Sequence, residues 1–98
     1  NTDNGVNSIV LSESYSNYKA LMFSIWVDST IEETDEKITI VHAATIWKWQ
    51  IDAAYSVTPE NQFAVTFPVI GSIYLQFDNT TNTFTVSEGV IKKIICIN

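Results

Sequence analysis

The chain has 98 residues, enough for one small domain, and with 46% apolar and 12% aromatic residues it is too hydrophobic for a disordered segment. A net charge of −6, with five basic residues of which only Lys92 and Lys93 adjoin, argues against nucleic acid and against an anionic membrane surface. Charged residues make up 16%, below the roughly 25% usual for a soluble domain, which points to surface buried against a partner.

Residues 1–5 read as the remnant of a linker whose protein continues upstream, and residues 6–98 as a single domain. Leu11-Ser12-Glu13-Ser14-Tyr15-Ser16-Asn17-Tyr18 carries a Ser/Asn corner in which hydroxyl and amide groups satisfy the backbone. The ring of Tyr15 or Tyr18 then fixes the corner to the core, with sugar binding by these rings as the alternative. Period-two alternation follows. Leu21, Phe23, Ile25 and Val27 share one strand face, and Met22, Ser24 and Trp26 share the other. The acidic stretch from Asp28 to Glu36 reads as a solvated connection. It lacks the spacing of an EF-hand and offers no apolar site that would split the pKa values of a carboxylate pair. Ile38 and Ile40 alternate with Thr39 in the next strand, and His42, the only histidine, is placed at its end.

Residues 43–55 fit two patterns. Trp47, Trp49 and Ile51 alternate as in a strand, whereas Ala43, Ile46, Trp47, Gln50, Ile51 and Ala54 fit a helical spacing. The neighbouring strands and the Trp and Ile content favour a strand, with both tryptophans on one face. Phe63, Val65 and Phe67 make another strand, which Pro68 either ends or confines to an edge. Ile73, Leu75 and Phe77, then Phe84 and Val86, form two strands joined by the polar turn Asp78 to Asn82, which includes the Asn79-Thr80-Thr81 triplet. A turn at Ser87-Glu88-Gly89 is expected to extend them into a three-stranded meander. The last strand holds Val90, Ile91, Ile94, Ile95, Cys96 and Ile97, apolar on both faces. That pattern predicts cover on both sides, from the domain's own core or from a neighbouring subunit. Cys96, alone and in apolar company, reads as inert core.

The expected class is all-β: a small antiparallel β-sandwich, jelly-roll-like, assembled as a trimer. No set of acid, base and nucleophile is present, no metal ligand set, and no phosphate-cradling loop among three glycines, so neither an enzyme nor a cofactor is expected.

Two segments, Leu11 to Leu21 and Ile73 to Ile97, resemble the C-terminal modules of bacteriophage and prophage tail fibres and tailspikes. The first is similar to their "L-S-x-S-Y-x-N-Y/F" opening. The second ends in Gly89-Val90-Ile91-Lys92-Lys93-Ile94-Ile95-Cys96-Ile97, similar to "I-K/R-x-I-Y-G-I", with Ile95-Cys96 where an aromatic and a small residue are commoner. The two ends cover about half of the chain. The resemblance implies a trimeric β-sandwich at the fibre tip, in the virion and assembled in the host cytoplasm, which closes the trimer and touches a surface glycan or an outer-membrane protein. A purely structural trimerisation module and a monomeric carbohydrate-binding module are the alternatives. Candidate ligand residues are Trp47, Trp49, Tyr55, Gln50 and Asp52, since aromatic rings stack on sugars and polar groups orient them. Candidate interface residues are Trp26, Ile91, Ile94, Ile95 and Ile97.

Overall fold

The computed structural model describes residues 5–57 and 64–98. The linker expectation for residues 1–4 and the places of Gln62 and Phe63 in a strand lie outside them. In chain order the elements are β1 (Ser8–Val10), a 3-10 turn (Tyr15–Asn17), β2 (Ala20–Ile31), β3 (Glu36–Trp47), α1 (Lys48–Ser56), β4 (Ala64–Ile70), β5 (Ile73–Asp78), β6 (Thr83–Val86) and β7 (Val90–Ile97). They form two antiparallel sheets, one ordered β1-β6-β5-β4 and one β3-β2-β7.

The alternation read in the sequence builds the interior. Leu21, Phe23, Ile25 and Val27 of β2, with Ile46 and Ile91 beside them, bury against Phe67, Ile73, Leu75, Phe77, Phe84 and Val86 of the other sheet. Phe77 lies 4.5 Å from Phe84 and 5.5 Å, edge-on, from Tyr15, and Phe84 lies 4.8 Å from Phe23. The tilted Phe23–Phe84 pair ties the two sheets across the core, Phe77 and Phe84 are cross-strand neighbours within one sheet, and the edge-on Tyr15–Phe77 contact fixes the 3-10 turn to it. Pro68 stands in β4, which among the described residues pairs with β5 alone, so the edge alternative is the one realised.

Five expectations change. The segment after Trp47 is helical. From Lys48 to Ser56 the sequence has a single β-branched residue, Ile51, and Gln50 Oε1 accepts the orphan N–H of Trp47 at 2.8 Å, as a side chain at the third helical position does in a capping box. The helix turns Ile51 into the core. The acidic stretch is mostly strand: β2 continues through Asp28 to Ile31 and β3 begins at Glu36, leaving a four-residue turn, Glu32 to Asp35, in which Asp35 takes φ +56°. His42 consequently sits in the middle of β3, opposite Ile25, not at a strand end. The meander breaks after β6. Gly89, at φ +81°, sends the chain across to the other sheet, where β7 pairs with β2. A side chain there would strike the Trp26 carbonyl. Finally, the hairpins β2–β3, β4–β5 and β5–β6 each stay within one sheet, whereas a jelly roll sends most successive strands to alternate sheets.

The sheets differ in length. β2 and β3 have 12 residues each, against seven, six and four in β4, β5 and β6. Twelve residues span about 40 Å at ~3.4 Å per residue, and the molecule measures 48 × 25 × 19 Å. The far end of the β2–β3 hairpin therefore extends past the second sheet and leaves Ile38 and Ile40 exposed.

Candidate interaction surface

Pairing register fixes which side chains leave the core. On β2 these are Met22, Ser24 and Trp26. Beside Met22 lie Thr45 of β3 and Ile95 of β7; beside Ser24, Ala43 and Lys93; beside Trp26, Val41 and Val90. Trp47 and Ile97 flank Ala20 at one end of the same face and bury it. The outer face of a two-layer antiparallel domain is usually polar. Here Trp26 is 38% exposed, Val41 56%, Trp47 43% and Ile95 45%, and the polar groups among them are Ser24, Thr45, Lys93 and Lys92, which reaches over Trp26.

Trp26 is held in place. Its indole Nε1–H donates to Ser24 Oγ at 3.1 Å, and the Lys92 ammonium lies 4.7 Å from the ring centroid, a cation–π contact. Beside it a groove of about 480 Å³ runs past Asp28, Glu88 and Gly89.

The predicted interface set divides. Trp26, Ile95 and Ile97 are on the outer face, but Ile91 is buried in the core and Ile94 packs against it. Within one chain the inner side of the last strand is covered at Ile91 and Ile94, while Ile95 on its outer side is exposed. Cys96 is exposed, contrary to the core reading, although it stands opposite the buried Leu21; it lines an open groove with Ile9, Val10 and Leu11.

The predicted ligand set also divides. Trp47 ends a strand and Trp49, 66% exposed, opens the helix, so they share no strand face. Their polar neighbours are engaged internally. Asp52 accepts from Tyr15 Oη at 2.6 Å and from Lys48 Nζ at 2.6 Å. The Lys48 hydrogen bond, then that of Tyr15, holds its carboxyl below the usual value. Burial first, and the Asp52 bond second, push the Tyr15 hydroxyl up to about 12. Tyr55 donates to the Phe77 carbonyl at 3.0 Å and accepts the Asn79 N–H at 3.2 Å, and burial raises its pKa. Gln50 caps the helix.

No family model matches this chain, and no curated protein or solved structure does. The geometry therefore stands alone. The corner predicted around Tyr15 forms, with Ser14 Oγ accepting the Ser16 N–H and Asn17 Nδ2 donating to Glu13. Tyr15 locks it to the core and to α1 through Phe77 and Asp52. Sequence reading set Met22 beside Trp26 on this outer face but missed Val41 and Ala43 as further apolar members of it. Once β3 is aligned to β2, their parity places them there.

Proposed function

We propose that this domain is a self-associating cap module of the kind that ends a phage tail fibre or tailspike. Three copies turn the outer faces of their β3-β2-β7 sheets toward a common axis, and the assembly contacts a bacterial surface glycan or outer-membrane protein. The observation that carries this reading is the apolar outer face. A row of Trp26, Val41, Trp47 and Ile95 exposed to water around a half-buried Met22 is what an oligomer would bury. The sequence resemblance at both ends of the chain supports the same assignment. Receptor contact falls to what an axial assembly leaves outside, chiefly Trp49 and the acidic tip Glu32 to Asp35. Three weak sites on one rigid tip bind a cell firmly through avidity.

Light scattering on the purified domain is expected to give three times the chain mass at micromolar concentration, and a monomer there contradicts the proposal. Adsorption to host cells should weaken in Trp49→Ala while the oligomer persists. A purely structural role is the second reading, favoured by the internal engagement of Gln50, Asp52 and Tyr55. It predicts a trimer that adsorbs to no cell and a fibre that dissociates when the module is deleted.

A further inference from the structure

An unpaired strand edge is a template for another chain, and proteins guard such edges with short length, proline, bulges or lysines. Among the described residues three of the four sheet edges are guarded. β1 is three residues long. β4 contains Pro68 and a register shift beside it. β7 shifts register near Lys93, carries Lys92 next to it, and is bridged by Val6 at Ile91. β3 has none of this. All twelve of its residues pair with β2 without a shift, it contains no proline, and its one lysine, Lys37, is at the start. Among the described residues nothing hydrogen-bonds along its other side as a strand.

The two open edges of this sheet also fit one another. β3 and β7 both run antiparallel to β2, so they are parallel to each other. Thr45 and Ile95 are level, both opposite Met22, and Trp47 and Ile97 are level, both opposite Ala20. β7 is open over Ile94 to Ile97, beyond its guards. We infer that the edge of β3 accepts the Ile94–Ile97 end of β7 from a second copy, in parallel alignment, and that three such joints close the three sheets into one ring. A rotation about an axis parallel to the strands preserves level, so it brings the partner's Ile95 beside Thr45 and the partner's Ile97 beside Trp47. A head-to-tail contact of this kind closes only if the rotation does, and the closed form places Met22, Trp26, Val41 and Ile95 of every copy inside the ring. The occupant is a second copy because the acceptor edge, the donor edge and the apolar face enclosed between them belong to the same sheet. This inference rests on the trimer proposed above and names its joint.

Paired cysteines test it. Within one chain Thr45 and Ile95 are separated by two strand spacings, roughly 10 Å, beyond the ~7 Å limit for a disulfide. In a Cys96→Ser background, Thr45→Cys with Ile95→Cys can therefore bridge only between chains. Mild oxidation is expected to give a covalent trimer on a non-reducing gel, while either cysteine alone gives none. Amide exchange on the unaltered chain supplies a second readout that does not depend on the variant folding: protection of residues 44–47 should be lost on dilution to monomer. If light scattering shows a trimer but no bridge forms and exchange at β3 is independent of concentration, the edge joint is wrong and the trimer stands. If the unaltered chain is monomeric, both fall.

Discussion

Single residues hold this fold at its turns. Gly89 and Gly71 both take positive φ, yet their surroundings differ. A methyl group at Gly89 meets the Trp26 carbonyl, while at Gly71 it meets open space. Gly71→Ala should cost about 1 kcal/mol from the left-handed backbone alone, and Gly89→Ala distinctly more, read as midpoints in chemical denaturation. Asn82 combines φ +57° with two hydrogen bonds from its amide, to the Leu11 and Glu13 carbonyls at 3.1 and 3.0 Å. Replacing it by Ala removes both and should destabilise by about 2 kcal/mol. The Tyr15–Asp52 pair gives opposite pH signatures. Asp52 titrates below its ordinary 3.8 in the folded chain, so its contribution is present above that value and is lost as pH falls through the lowered one. Tyr15 titrates near 12 instead of 10, so its contribution is complete below pH 10 and disappears as pH rises toward 12. Tyr15→Phe should reduce that alkaline loss, leaving the part that the raised Tyr55 contributes, as followed by unfolding curves at a series of high pH values.

At the level of elements, strands were legible wherever a buried face alternated with a wet one. Leu21 to Val27, Ile73 to Phe77, and Phe84 with Val86 all lie in the core as their spacing predicts. Two elements were hidden for physical reasons. Trp47, Trp49 and Ile51 alternate by coincidence, since the chain leaves the sheet between the two tryptophans; the informative signals were the cap at Gln50 and the loss of β-branched residues after Ile46. The acidic hairpin was hidden because charge was read as loop, although Asp28, Thr30 and Lys37 merely occupy one face while Ser29, Ile31 and Ile38 continue the other. The surroundings of the candidate ligand residues were least legible, because which polar group is spent internally depends on the Tyr15–Asp52 and Tyr55–Phe77 contacts, and these join distant parts of the chain. Ile51 is the one fully buried residue of α1, beside the half-buried Ala54 and Tyr55. Ile51→Ala should cost roughly 3 kcal/mol and loosen the helix first, visible as faster amide exchange over Lys48–Ser56 than in the sheets.

Across the whole molecule, the decisive feature is a sandwich with one apolar layer too many on its surface. The core closes between the two sheets, yet β3-β2-β7 shows tryptophan, valine and isoleucine on the side away from it. An axial assembly would bury that layer and gather the tip acids Glu32, Glu33 and Asp35 of all copies at one end. Their mutual repulsion is screened by salt, so association should tighten as ionic strength rises, measurable as a falling dissociation constant in a sodium chloride series. The most direct measurement is sedimentation equilibrium on the unaltered domain beside Val41→Lys/Ile95→Lys, two positions already exposed in the single chain. A trimer is expected for the first and a folded monomer for the second. An unchanged mass for the charged variant would contradict the proposed assembly, because the copies would then be meeting through some other surface.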